Sequence, residues 1–279
     1  MVKYNIIEMD VWSKFGCFNK PFSSGGGLLT YLIPPKTSII GIIGAILGYS
    51  FDEFELMEND KCYSIEKLNE IKVSIHPLFQ FKIKRVTFNN VSEDSIMNVQ
   101  QDIIINPYYK IYILFPDSLD REEKLFLNRV KNNKSFFNLY MGRNEFLLNF
   151  EFKNVLNCDK FILNNSNSEE FFNSNKNKIY GSLNRKNVKS TKLKQTLKNS
   201  NRTLVSRRRR TFNLESYYEY IINQFPIKRT NFTDFKFSPI SFYAYSEDDD
   251  CFFANVEFKN DDDQIELYNI GDLKWISMI

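Results

Sequence analysis

The stretch from Phe18 to Gly48, FNKPFSSGGGLLTYLIPPKTSIIGIIGAILG, restricts the fold of this chain more than any other. Pro34 and Pro35 give no N–H to a ladder and hold the preceding residue extended, so neither a helix nor a central strand runs through them. Beyond the prolines, the chain is apolar on nearly every side from Ile39 to Leu47. A helix predicted from about Ser38 to Tyr49, with Thr37 or Ser38 as its N-cap, has no polar face for water and must be buried against a sheet. Gly41, Gly44 and Gly48 let a neighbour approach it closely. The local order is glycine loop, stiff extended segment, helix N-terminus. Such a terminus carries unpaired N–H groups and partial positive charge, and with Lys36 beside it a phosphate can be received there.

Strand patterns surround this helix. Residues 2 to 12 alternate, as do Ile71 to Phe88, where Pro77 predicts a bend or an edge. Residues 51 to 70 read as a connection with one further helical turn, and residues 84 to 102 lose the apolar pattern and read as an excursion between strands. The chain returns at Ile103 to Phe115. An amphipathic helix from Leu119 to Val130 comes next, capped by Asp117 or Ser118, with Leu125, Phe126 and Val130 inside. A loop with Met141-Gly142 then leads to a strand at Glu145 to Phe152. Strand, helix, strand, strand, helix, strand is the ferredoxin-like βαββαβ order, an α+β class common among RNA-binding modules.

Beyond residue 155 the periodicity weakens. Residues 157 to 178 are rich in Asn and Ser and read as an exposed loop, Leu214 to Phe225 as a short helix or strand, and strands are predicted at 239–245, 251–258 and 264–270. We therefore expect a domain at 1–155 and a β-rich C-terminal extension at 156–279. Charge divides the chain as well. Residues 171 to 214 hold thirteen Lys and Arg and no Asp or Glu. Taking those thirteen charges from a chain of net charge +3 leaves the remainder at −10. A segment of that kind, densest at Arg207, Arg208, Arg209 and Arg210, is an electrostatic footprint for a polyanion, against the plain alternative of a solvated loop.

Several chemistries lose support. Four widely spaced cysteines and one histidine argue against a zinc site or a disulfide framework, so no metal or cofactor is expected. GxxxxGK[ST] is absent, and GGG followed by LLTY is not a dinucleotide fingerprint. The apolar run is too short to cross a bilayer and no signal peptide is visible, which predicts a cytoplasmic protein without membrane contact. His76 is the one imidazole, and a lone His before Pro in a strand is more often structural than catalytic. Metal-free RNA cleavage can be shared among Tyr, Lys and His, so composition leaves it open.

Three stretches together resemble the CRISPR-associated protein 5 family, a subunit of the type I surveillance complex called Cascade. FNKP with TYLIPPKTSIIGIIGAILG is similar to the family's aromatic-Arg-x-Pro, TYxxPPxS and glycine-rich helix; QQDIIINPYYKIYI at 100–113 to the strand returning from its thumb; and YMGRNEF at 140–146 to its YLGxxEF turn. The resemblance implies an RRM-like fold of the RAMP superfamily type with a thumb projecting at about 84–102. It implies a non-catalytic subunit that holds the 5′ handle of the CRISPR RNA and caps the backbone filament, with the seventh-family backbone and eighth-family large subunits as partners and target DNA met through the assembled complex. The spellings are most similar to subtype I-B. Carried over residue by residue, Lys20, Tyr31, Lys36, Thr37 and Ser38 become handle contacts in the first motif, Arg143 in the third, and Lys84 and Arg85 at the base of the thumb. Asn19 stands where the family often has Arg. The subtype I-C branch instead cleaves pre-CRISPR RNA without metal; its Lys-His pair has no match here, since Ile75 precedes His76.

Overall fold

In the computed structural model, residues 3–23, 27–50, 54–57, 60–91, 96–197, 219–229, 234–243 and 249–279 are described. The core is β1 (Lys3–Trp12), α1 (Lys36–Leu47), β2 (Lys72–Pro77), β3 (Tyr108–Leu114), α2 (Asp120–Lys131) and β4 (Asn149–Asn164). The four strands lie in the order β4-β1-β3-β2, each antiparallel to its neighbour. That is the ferredoxin-like arrangement. The period of two explains its layers: Ile7, Met9 and Val11 of β1 join Ile39, Ile43, Val73, Ile111, Phe126 and Val130 in the main core under the two helices. Ile6, Tyr112 and Leu114 point the other way into a second core with Cys158, Tyr180 and Tyr268.

The C-terminal half widens this sheet instead of standing apart from it. β5 (Lys178–Tyr180), β6 (Leu183–Asn184), β7 (Val188–Leu197), β8 (Glu219–Arg229), β9 (Phe235–Tyr243), β10 (Asp249–Phe258), β11 (Gln264–Gly271) and β12 (Lys274–Ser277) succeed one another along the chain. The full sheet reads β7-β10-β5-β12-β11-β4-β1-β3-β2, and β6-β9-β8 form a separate three-stranded sheet. β4 joins the halves: Asn149 to Asp159 pair with β1, and Lys160 to Asn164 with β11. The nine strands curl until the free edge of β2 meets the far side. Val73 and Ile279 exchange backbone hydrogen bonds, and the Ile75 N–H donates to Ser182 Oγ at 3.1 Å. Edge groups that could otherwise recruit another chain are thus occupied.

Several boundaries differ from expectation, each for a local reason. α1 begins at Lys36, with Pro35 in the N-cap position and no side-chain cap, so Thr37 and Ser38 lie in the first turn. Of its glycines, Gly44 meets Ile65 closely, while a Cβ on Gly41 would meet nothing within 4 Å. The strand expected to run to Phe88 stops at Pro77; Phe79 then packs edge-on against Phe81 and Tyr109, a ring cluster whose spacing imitates a strand. Asn106, at φ 49, breaks the return strand. The excursion is a hairpin, Ile83–Val91 with Ile96–Ile105.

α2 begins at Asp120, and Leu119 rather than Asp117 or Ser118 holds its N-cap position; Leu125 is 39% exposed, leaving Phe126 and Val130 as its inner face. β4 starts four residues later than predicted and continues to Asn164. The expected Asn/Ser loop is the rest of β4 and a short helix, Asn165–Glu169, capped by Asn164 and Asn167, followed by a turn that buries Phe171 and Phe172. Phe54–Met57 and Asp60–Tyr63 pair as antiparallel strands, and Ser64–Glu70 is a 3-10 turn. Within 214–225 the described part is strand, and β12 was not foreseen.

Candidate nucleic-acid interface

The three stretches that carry the family resemblance meet in space. Phe18-Asn19 pair with Tyr31-Thr30 to close the first loop at its neck, and Thr30 Oγ1 accepts from the Phe18 N–H at 2.9 Å. Within the loop, Leu28 lies along the hairpin: its N–H donates to Gln100 O at 2.7 Å, and the Asp102 N–H donates to Leu28 O at 2.9 Å. The third stretch docks from the other side, where the Cys17 N–H donates to Met141 O at 3.0 Å. Gly142 makes this approach possible. It sits at φ 89, and a Cβ on it would lie 2.0 Å from Cys17 O, which only glycine tolerates.

Side chains complete the junction. Arg143 donates to Gln101 Oε1 at 3.3 Å and forms a fork with Glu145 at 2.9 and 3.2 Å, holding the Glu145 carboxyl below its usual range. Gln101 is buried beside Cys17, whose thiol is pushed up by burial, with hydrogen bonds from Gln101 and Thr30 opposing. Arg85 forks onto Asp102 at 2.8 and 3.2 Å. Lys20 Nζ sits 5.5 Å from the centre of the Tyr31 ring. Arg85, Asp102, Gln100 and Leu29 also line a cleft of about 280 Å³ with Phe22, which is 56% exposed. Neither guanidinium uses all of its N–H donors in these forks, so each keeps donors for an incoming phosphate without leaving its carboxylate.

Lys20, Arg85 and Arg143 are therefore gathered around the base of the hairpin, and Lys84 stands beside Arg85 on its exposed first strand. Tyr31 belongs to the core instead. It is 1% exposed, its hydroxyl donates to Gln224 O at 2.6 Å, and burial pushes it up to about 12, so its ring is not offered to a ligand. Lys36 is buried at the start of α1; burial lowers it to about 8, with Lys72 and Lys228 adding repulsion. Thr37 and Ser38 line a different cleft, with Asn69, Arg229 and Phe235. Arg207 to Arg210 lie outside the described residues.

His76 packs 5.7 Å from the Tyr243 ring and 6.2 Å from that of Tyr180, and is in register with Lys110, which is tied to Glu8. Among the described residues no group of three His, Cys, Asp or Glu could hold a metal ion, and no helix is long and apolar enough to cross a membrane. Cys17, Cys158 and Cys251 are buried thiols. Sequence reasoning missed Phe22, Gln101, Asp102, Asn69, Arg229 and Phe235. Phe22 carried a signal as an aromatic residue beside the glycine run, and Gln101 and Asp102 lay within the 100–113 stretch.

A family model described as CRISPR-associated protein (Cas_Cas5) matches residues 6–162, more than half of the chain and all three stretches. No curated protein sequence matches. Among solved structures, the chain is similar to a CRISPR protein from Archaeoglobus fulgidus, with a TM-score of 0.42 and 11% identity over 99% of this chain and 98% of that one. It is similar to a CRISPR-associated protein (TM-score 0.34, 10% identity, 55% of this chain and 70% of that one). A chain described as a CRISPR RNA-guided surveillance complex gives a TM-score of 0.37 and 10% identity, over 52% and 59% of the two chains. These three likenesses are too slight to support a functional argument.

Proposed function

We propose that this chain, which belongs to the CRISPR-associated Cas5 family, is a non-catalytic CRISPR RNA-binding subunit of a type I complex of the I-B kind. In this reading it holds the 5′ handle of the CRISPR RNA, caps the filament of backbone subunits, adjoins the large subunit, and meets target DNA only through the assembled, cytoplasmic complex. The observation that carries it is the junction at the base of the hairpin: the glycine loop, the hairpin and the Met141-Gly142 turn are bonded to one another and bring Lys20, Arg85 and Arg143 to one region. Such a cationic junction at a projecting hairpin suits a bent single strand, which needs phosphate and 2′-hydroxyl contacts and stacking but no acid–base pair. Phe22 supplies an exposed ring in the same place. The hairpin is the thumb of this proposal, 1–155 its RNA-holding part and 156–279 its extension, with Arg207 to Arg210 an added phosphate contact.

Assembled complexes carrying CRISPR RNA with a native or a scrambled handle test this reading directly. Tighter retention of the native handle is expected, and equal retention refutes handle recognition. Arg85→Ala and Arg143→Ala should each weaken RNA binding and lower the salt slope by about 0.7 for each phosphate that is no longer neutralised. A discrete cleavage product from repeat RNA in EDTA, abolished by His76→Ala, would establish an endoribonuclease instead.

A further inference from the structure

The sheet face turned away from the helices carries an ionic cluster that lacks one positive charge. Glu8, Asp10 and Trp12 alternate along that face of β1; across the strands, Asp10 lies opposite Glu151 of β4, and Trp12 lies opposite Tyr108 of β3. Lys110 is tied to Glu8, and Lys153 lies 2.5 Å from Glu151 and 3.6 Å from Asp10. Three carboxylates therefore face two ammonium groups. The shortage falls on Asp10, which is 4% exposed. Its Oδ2 accepts from the Tyr108 hydroxyl at 2.9 Å and is also the oxygen that Lys153 approaches. Its Oδ1 is enclosed and has no hydrogen-bond partner among the described residues. An enclosed carboxylate oxygen without a donor is costly to the fold. Beside it the Trp12 and Tyr108 rings, both partly exposed, stack with centres 5.7 Å apart and planes 16° from parallel. The Glu151 and Lys153 side chains that border Asp10 are 53% and 33% exposed, so they can turn aside to admit a ligand.

A group that answers Oδ1 must bring N–H donors and a positive charge, and it must suit aromatic rings at its flank. A phosphate would add to the unmatched negative charge, so this face differs from the hairpin junction and does not fit an RNA backbone. A lysine ammonium meets the charge as a point, whereas a guanidinium also forks onto carboxylates and lies flat on aromatic rings. We propose that this face receives an arginine side chain from a protein partner, its guanidinium donating to Asp10 Oδ1 and Glu151 and its plane resting on the Trp12–Tyr108 pair. The assignment does not depend on the RNA-binding reading and uses a different part of the molecule.

Calorimetric titration of the full chain with the peptide acetyl-Gly-Arg-Gly-amide tests it, with citrulline and lysine peptides of the same design as comparisons. The arginine peptide should bind about tenfold more tightly than the citrulline peptide, which keeps the shape and loses the charge, and more tightly than the lysine peptide. Asp10→Asn should abolish that difference without lowering the urea midpoint of the free protein, because it removes an unmatched buried charge. Glu151→Gln, at an exposed position, should weaken the arginine peptide as well. A folded wild-type protein that binds the three peptides equally, or none of them, overturns the proposal and leaves Oδ1 to an internal water. Arginine preference that survives in both variants puts the peptide elsewhere and overturns it too. Quenching of tryptophan fluorescence by oligo(U), removed by Trp12→Phe, would overturn it in favour of a base stacked on this face.

Discussion

Two glycine-to-alanine substitutions should move stability in opposite directions. At Gly142 the backbone is left-handed, at φ 89, and the added Cβ would lie 2.0 Å from Cys17 O and 2.8 Å from a Phe18 ring carbon. The left-handed conformation costs an L-residue about 1–2 kcal/mol. Forced separation of packed groups adds about 1–3 kcal/mol, so Gly142→Ala should lose roughly 2–5 kcal/mol. For a chain of this size that is a fall in Tm of about 5–15 °C. Gly41 is interior to α1 with open space around its Cα, so Gly41→Ala should gain about 1 kcal/mol through helix propensity alone. Urea titration monitored by Trp12 and Trp275 fluorescence reads both changes, because these two residues report from opposite halves of the large sheet. An unchanged midpoint for Gly142→Ala would refute the tight docking of the third stretch on the first. A loss for Gly41→Ala would refute the open space around its Cα.

Two pH effects arise from buried or bridged charges. Lys36 is lowered from 10.5 to about 8 by burial, so below pH 8 it is charged in both states at a cost of roughly 3 kcal/mol. Between pH 8 and 10.5 the unfolded chain binds the extra proton, and stability should rise with pH. Lys36→Met should raise stability at neutral pH and abolish that rise, as measured by urea midpoints across the range; a rise that persists refutes the assignment. Glu266 is opposed by burial, yet hydrogen bonds and charge from Lys160 and Lys72 hold it down at about 2. That stabilisation is present above pH 4.5 and is lost as pH falls toward 2, so Glu266→Gln should flatten the acid limb of the stability curve. An unchanged limb would show the pair to be energetically idle.

The βαββαβ core was legible because its strands and helices keep clean periods of two and three to four, with one face of each buried. Phe79 and Phe81 misled the reading because ring clusters and strands share a spacing. The segment after residue 157 was misread for the opposite reason: Asn and Ser dominate it, yet Phe171 and Phe172 are enough to bury its turn, and Asn164 with Asn167 spend their polarity on a cap. Site residues divided in the same way. Arg143 and Arg85 stood out by motif and position, whereas Asn69 and Arg229 form one wall from positions far apart in the chain, a proximity that local pattern does not contain. Tyr31 was assigned to RNA from its motif, but its contacts with Phe225 and Gln224 O come from a strand that periodicity left undecided.

Strand β4 has a mechanical meaning that topology alone does not convey. Its sixteen residues are long enough to span roughly 50 Å, and the Met141–Phe146 turn sits just upstream of its N-terminal end. The strand is hydrogen-bonded first to β1, with one bulge at Lys153, and then from Lys160 onward to β11. A tug on Arg143 therefore runs along one continuous strand to the C-terminal strands, and whatever grips the hairpin end also biases the attitude of the distant sheet edge.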